Sequence, residues 1–339
     1  MRIGKEESRL YIASFCDKIN YHPLIHEAAM RNTVYFGFAG ILAFCFFSAV
    51  GRVLTGALDQ QVHPVVLAFG VFSISASFFA LSNARQLPAL WGKVCAHRAD
   101  VLLVNMTTCF AWLFLFYPLK YIEPAIVSSI TLGLGPFCMI LLLFLFEKKR
   151  LMHPANYWMA ALMTGVIVYL VFLIFSGKTA MHTLVNSKTL SYALLCCILV
   201  AVAVAANTWC SKRLSNAGFA PLDILSCRFF LLLIVALAWI AAERLPVPLA
   251  PPSLLLNLLL DSFFLAILPI YCFYTGLPHL QPVTITLLIP LMPVFTFFLE
   301  FFDQRLAPGK TVIILIIAIA VLASLSSFFQ YQVEKKQAD

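Results

Sequence analysis

Residues 117–136 read YPLKYIEPAIVSSITLGLGP, and residues 274–293 read YTGLPHLQPVTITLLIPLMP. Each stretch ends one apolar run, passes through a few polar residues and starts a second run that contains prolines. Four pairs of residues within and around these stretches keep an interval of about 157 residues: Pro124 with Pro282, Pro136 with Pro293, Glu147 with Asp303, and Pro64 with Pro221. The interval predicts that the chain consists of two copies of one unit.

Apolar runs continue through most of the 339 residues, of which 62% are hydrophobic and only 11% charged. A soluble domain has about 25% charged residues, so this composition excludes a soluble protein. A bilayer core of about 30 Å requires roughly 20 apolar residues per helix. Ten runs meet this requirement and predict an all-α integral membrane protein with ten transmembrane helices: Val34–Gly51, Pro64–Asn83, Asp100–Leu119, Ile122–Phe146, Tyr157–Phe175, Leu190–Cys210, Pro221–Ala241, Leu254–Gly276, Leu280–Phe301 and Thr311–Gln330.

Each predicted unit contains five spans, which is an odd number. The second unit therefore enters the membrane from the opposite face, and the two form inverted repeats. The predicted organisation is a cytoplasmic N-terminal tail over residues 1–33, a first five-helix repeat over 34–176, a second over 190–330 and a cytoplasmic C-terminal tail over 331–339.

The basic residues are distributed unevenly between the loops. With the N-terminus inside, the inner segments hold 15 Lys and Arg and the outer ones seven, including Arg52 after the first span. The positive-inside rule then predicts that both termini are cytoplasmic, in the cytoplasmic (inner) membrane. Because the net charge of +8 is explained by topology, we expect no nucleic-acid partner.

The fourth and ninth spans are apolar, contain prolines and end at acidic residues, Glu147 and Asp303. The run PLDILSCR places Arg228 early in the seventh span. This pattern resembles the EamA-type ten-helix members of the drug/metabolite transporter superfamily over about residues 34–330. The resemblance implies a solute carrier that works without a bound cofactor. One departure is Val71, which stands where many members carry a second Arg in the first half.

Arg228 and Asp261 are the charges deepest in their predicted spans, each about 10 Å from a helix end at 1.5 Å per residue. A charge at a helix centre costs roughly 2.5–3.5 kcal/mol on insertion into the membrane, so each of these two residues is expected to have a functional or structural role. We expect both to face a cavity and contact substrate. Two alternatives stay open: Arg228 snorkels to the interface, with Asp223 near enough to neutralise it, or Asp261 pairs with a neighbouring helix.

Further candidates are polar or aromatic side chains within the spans. Asp261 shares a predicted helix face with several of them, which suggests a cavity wall along the eighth span. The other candidate substrate-binding residues are Asn105, Trp112, Tyr117, Asn207, Tyr271, Tyr274 and Thr275. Coupling or gating candidates are Glu300, Glu147 and Asp303, with Asp261 and Glu300 as natural protonation sites. Candidate hinges are Pro136 and Pro293, because a proline inside a helix removes a backbone hydrogen bond.

These features predict a secondary transporter, an exporter or exchanger that moves a small polar or amphipathic metabolite by alternating access. An amino acid or drug-like compound is one substrate class, and a nucleoside-like metabolite such as S-adenosylmethionine is the alternative. We expect the partners to be this substrate, the bilayer and either a proton or a counter-substrate, with a monomer or homodimer as the assembly. We expect no enzyme activity and no metal site. A membrane enzyme would need clustered His, Asp and Glu at one interface, and a scaffold would need longer loops.

Overall fold

The computed structural model describes residues 23–146, 154–176, 186–246, 252–302 and 310–338. This part of the chain is helical and contains no strand. Ten helices are long and apolar enough to span a membrane, which confirms the predicted fold class. They are α1 Val34–Leu58, α2 Pro64–Ser82, α3 Arg98–Tyr121, α4 Pro124–Phe146, α5 Pro154–Phe175, α6 Ser187–Asn216, α7 Pro221–Glu243, α8 Leu254–His279, α9 Pro282–Glu300 and α10 Thr311–Gln330.

The first span is longer than the sequence predicts. The α1 segment continues past Gly51 to Leu58, so Arg52 lies inside the span and is buried. The expectation that Arg52 lies in an outer loop is therefore wrong. A hydropathy reading ends a run at its first charge, whereas here neighbouring helices bury that charge. The terminal helices also extend into the predicted tails, since the first begins at Pro23 and the last ends at Ala338.

Four spans are interrupted within the membrane. Proline, glycine and inserted side chains are the usual causes of such breaks. Two spans are α-helices divided by one or two residues, α4 into Pro124–Gly133 and Gly135–Phe146, and α7 into Pro221–Cys227 and Phe230–Glu243. The other two contain a different helix type, α8 a π-helix at Ser262–Ile267 and α9 a 3₁₀ turn at Ile289–Leu291.

Helices α1 and α8 approach each other at the distance of backbone contact. A Cβ on Gly40 would lie 2.9 Å from the carbonyl oxygen of Cys272, and one on Gly276 would lie 2.9 Å from that of Gly37. At Gly51 a Cβ would lie 2.4 Å from the Cα of Leu265. Small residues permit such close approach in membranes, where packing drives association between helices.

The hydrophobic core combines helices from both predicted repeats. One cluster of buried residues joins α1, α2 and α3 to α7 and α8. A second joins α4 and α5 to α6 and α10. Each cluster thus crosses the boundary between residues 34–176 and 190–330. The breaks in α4 and α9 occupy corresponding places, as a repeat requires, while the inverted relation of the two halves stays a prediction.

Candidate functional site

A central cavity lies between the helices of the two halves. Its wall is formed by α1, α3 and α4 from the first half and by α6, α7, α8 and α9 from the second. Most of the lining is apolar or aromatic. The polar and charged side chains that reach it are Ser48, Arg52, Asn207, Thr208 and Arg228. A mostly apolar cavity with a few convergent polar groups is the usual form of a small-molecule site.

The break in α7 places Arg228 at the cavity wall. In an unbroken helix the Leu231 amide would bond the Cys227 carbonyl, four residues earlier. Instead, the side-chain amide of Asn105 on α3 forms hydrogen bonds with both groups. It donates to the Cys227 oxygen at 2.8 Å and accepts from the Leu231 nitrogen at 3.3 Å. The freed backbone groups are thereby satisfied inside the membrane. Asn105 was predicted to bind substrate, and the structure gives it this connecting position.

Arg228 is buried and surrounded by neutral hydrogen-bond partners. Its Nη2 donates to Thr108 Oγ1 at 3.0 Å and to Asn207 Oδ1 at 3.1 Å. The Tyr274 ring lies 5.0 Å from the guanidinium carbon, and its hydroxyl is 2.7 Å from Ser211 Oγ. We call these five residues the Arg228 cluster. It brings together three of the predicted residues: Arg228, Asn207 and Tyr274.

Arg52 enters the same cavity from α1. Its Nη1 donates to Ser128 Oγ on α4 at 3.2 Å, and its side chain is buried. The sequence reading placed it outside the membrane and so missed it as a site residue. The apolar residues Val53, Leu54 and Ala57 after it are the signal that the span continues.

Aromatic rings cover part of the cavity wall. Trp112, predicted as a binding residue, lines it from α3, and Phe44 and Phe273 line it from α1 and α8. The Trp112 ring packs 4.8 Å from Phe72. The site can therefore offer flat apolar surfaces together with two guanidinium groups and an amide.

Comparison with known proteins finds a family model that matches the second half of the chain. Residues 191–326, in the second half of the chain, match the model of the EamA-like transporter family. The second half of the chain is therefore similar to EamA-type transporters of the drug/metabolite superfamily. The ten candidate spans make the chain a multi-pass membrane protein.

The fold of this chain is found among solved structures. A crystal structure, described only as that of a protein, is 17% identical and has a TM-score of 0.56. The likeness covers 90% of this chain and 99% of the other. No curated protein matches the sequence.

The polar cavity wall predicted along α8 is not formed as expected. The π-helix at Ser262–Ile267 adds a residue to the turn, so the side chains after it are rotated by roughly 100° from a regular helix. As a result Asp261 is fully buried while Tyr271 is 43% exposed. Thr275 donates to the Cys272 carbonyl of its own helix. Neither Tyr271 nor Thr275 is among the residues that line the cavity.

Asp261 lies at a second polar position, near the end of α1. Its Oδ1 accepts a hydrogen bond from Thr55 at 2.8 Å, and its Oδ2 is buried without a hydrogen bond among the described residues. Asp59, just beyond the span, is also fully buried, and neither of its carboxyl oxygens is hydrogen-bonded in the same part of the chain. Burial, reinforced by the charge of Asp261 and opposed by Lys120, raises the pKa of Asp59 well above the ordinary range.

Glu300, Tyr117 and Asp223 contact residues that do not line the cavity. Glu300 is buried, and its Oε1 accepts from the Ala125 amide at the start of α4. Tyr117 is half-buried, with its ring 5.0 Å from Tyr121. Asp223 does not neutralise Arg228: it bonds Lys93 at 2.9 Å, so that alternative is wrong.

The two hinge candidates lie at breaks, and two gate candidates cannot be placed. Pro136 follows the break in α4, and Pro293 follows the 3₁₀ turn in α9. Pro293 has no N–H for the Ile289 carbonyl, and the Cys45 thiol lies 3.9 Å from that oxygen. Glu147 and Asp303 lie outside the described residues.

Proposed function

We propose that this EamA-type protein is a secondary transporter that carries a small polar or amphipathic metabolite through the central cavity by alternating access. The observation that carries the proposal is the position of the cavity: it lies between helices of both halves and is reached by the Arg228 cluster. A substrate held between two halves can be exposed to either side when they rearrange.

The interrupted helices support this mechanism. A break inside a span frees backbone groups and gives the chain a place to bend. Three of the four interrupted spans, α4, α8 and α9, contribute one or two residues each to the cavity wall, and α7 contributes Arg228 from the break itself. Pro136 and Pro293 keep their proposed role as hinges. Glu300, Glu147 and Asp303 keep theirs as coupling or gating residues.

The aromatic wall favours a substrate with a flat or apolar portion. Trp112, Phe44 and Phe273 provide such a surface beside the polar groups. An amino acid or drug-like compound has this character, and so does a nucleoside-like metabolite such as S-adenosylmethionine. We place the protein in the cytoplasmic membrane with both termini inside, as a monomer or homodimer. A proton or counter-substrate would drive transport.

Reconstitution in sealed vesicles tests the proposal. Vesicles loaded with a metabolite extract are diluted into isotopically labelled extract, and mass spectrometry identifies the compounds that exchange. We expect a small set of compounds to exchange only in vesicles that contain the protein, and Arg228→Ala to reduce that exchange at least tenfold. Arg85→Ala is the control, since Arg85 is exposed and remote from the cavity. Absence of any protein-dependent exchange in either direction would refute the carrier.

A further inference from the structure

Two buried arginines, one from each half of the chain, reach the same cavity. Arg52 and Arg228 are each only 5% exposed, and both line its wall. Arg52 is six residues from the end of α1 and Arg228 seven from the start of α7, so each lies about 9–11 Å from a helix end at 1.5 Å per residue. In the predicted topology these two helix ends lie at opposite membrane faces. In a core of about 30 Å this separates them by roughly 10 Å in depth.

Neither guanidinium forms an ion pair within the part of the chain that the structure describes. Arg52 bonds the neutral hydroxyl of Ser128, and Arg228 bonds Thr108 and Asn207. The salt bridges in that part join other residues, Lys93 with Asp223 and Arg213 with Asp100.

The aromatic neighbours of Arg228 do not replace a counterion. The Tyr274 and Phe229 rings lie 5.0 and 5.3 Å from its guanidinium carbon, within the range of a cation–π contact. Such contacts stabilise the cation but leave its charge in place. Two positive charges thus remain in one mostly apolar cavity, although a charge in the membrane interior normally pairs with an opposite charge.

We infer that the transported molecule is an organic oxyanion, a carboxylate or a phosphate ester, and that Arg52 and Arg228 bind its anionic group. The inference rests on the proposed carrier function and names the substrate class for the same cavity. A guanidinium has five N–H donors in a planar fork that matches these oxyanions. Arg52 uses one nitrogen for Ser128, so its other donors are available to the substrate.

The rest of the cavity defines the remainder of that molecule. Trp112, Phe44 and Phe273 surround the space with rings, and Asn207 adds an amide beside Arg228. A molecule with an anionic head and a flat apolar body satisfies both parts of the wall. The two depths also allow the head to be bound by Arg228 near one face and by Arg52 near the other.

The test uses four probes that share a phenyl ring and differ in the head group: phenylpropionate, phenethyl phosphate, phenylpropanol and phenylpropylamine. Binding to the purified full-length protein is measured as the rise in Tm with probe concentration. We expect one or both anionic probes to bind at least tenfold more tightly than the alcohol and the amine. Tighter binding of phenylpropionate would indicate that the anionic group of the substrate is a carboxylate, and tighter binding of phenethyl phosphate that it is a phosphate ester.

Variants connect the binding to the two arginines. Arg52→Gln and Arg228→Gln should each weaken binding of the preferred anion at least tenfold, because each loses a charged partner for the head group. Arg85→Gln removes an equal charge at an exposed position and should leave binding unchanged. A variant that fails to fold is recognised by its Tm without probe, and Arg52→Lys or Arg228→Lys then replaces it. The lysine variant should also weaken anion binding, because an ammonium keeps the charge but cannot reproduce the planar fork of a guanidinium.

The outcomes separate this inference from the carrier proposal. Equal or tighter binding of the amine or alcohol, or no binding of either anion, overturns the inference. Protein-dependent exchange of compounds without an oxyanionic group overturns it while leaving the carrier intact. Arginine-dependent anion binding without exchange supports the anion site and refutes the carrier.

Discussion

Replacing Gly51 by alanine should destabilise the protein, although the same change normally stabilises a helix. An added Cβ would lie 2.4 Å from the Cα of Leu265, whereas ordinary contacts begin near 3.4 Å. The obstacle is backbone, so no side-chain rotation relieves it and α1 must move away from α8. Overpacking of this kind costs about 1–3 kcal/mol, against a gain of about 0.5–1 kcal/mol in helix propensity. We expect a net loss of about 1–2 kcal/mol.

Gly165→Ala is the matched control. Gly165 lies within α5, and nothing lies within 4 Å of a Cβ built there. The control should therefore gain only the higher helix propensity of alanine, and its stability should equal or exceed that of the wild type. Thermal unfolding of both variants in the same detergent measures the difference. The Tm of Gly51→Ala should fall by about 1.5–3 °C. A Tm for Gly51→Ala equal to that of Gly165→Ala would refute the close contact between α1 and α8.

Four further predictions concern charged groups and topology. Arg228→Lys should lower transport at least tenfold with Tm little changed, because an ammonium cannot reproduce the planar fork of a guanidinium; unimpaired transport would contradict this. Asp261→Asn should preserve folding, because the amide oxygen can still accept from Thr55, and should lower transport, because an amide cannot carry the proton for which Asp261 is a candidate site; parallel loss of both would favour a packing role instead. Since the folded-state pKa of Asp59 is raised, Tm should fall as pH rises above the ordinary carboxyl range and through that raised pKa, and Asp59→Asn should flatten this dependence. Reporter fusions at Met1 and Asp339 should both give cytoplasmic signals, and an external signal from either would contradict the ten-span topology.

The number and order of spans could be read from the sequence because the bilayer fixes how long an apolar run must be. Runs such as Pro64–Asn83 and Thr311–Gln330 agree with the structure to within a residue. The end of the first span was placed too early, at Gly51, although Val53, Leu54 and Ala57 continue the apolar run past Arg52. Whether a charge ends a span or lies buried within it depends on neighbouring helices, which hydropathy does not contain.

The site was only partly predictable for the same reason. Arg228, Asn207 and Trp112 line the cavity, because polar or aromatic residues within spans usually face the protein interior, and their contact with substrate stays a prediction. The predicted face of α8 was wrong for Tyr271, because its position was calculated for a regular helix and the π-helix after Asp261 changes the register. The pairing of Asp223 with Lys93 depends on where a short connecting helix, Leu87–Ala96, meets α7, and no spacing in the sequence specifies that.

The side chain of Asn105 links the two pieces of α7 by hydrogen bonds. The side-chain amide of Asn105 bonds both the backbone carbonyl of Cys227 and the backbone N–H of Leu231. Neither piece of α7 can therefore rotate independently without displacing α3 or breaking one of these hydrogen bonds. The same helix carries Thr108, which is bonded to Arg228. We therefore expect the Arg228 guanidinium and its neighbours on α3 to move as one rigid unit during transport. The bending would then occur at the other interrupted helices.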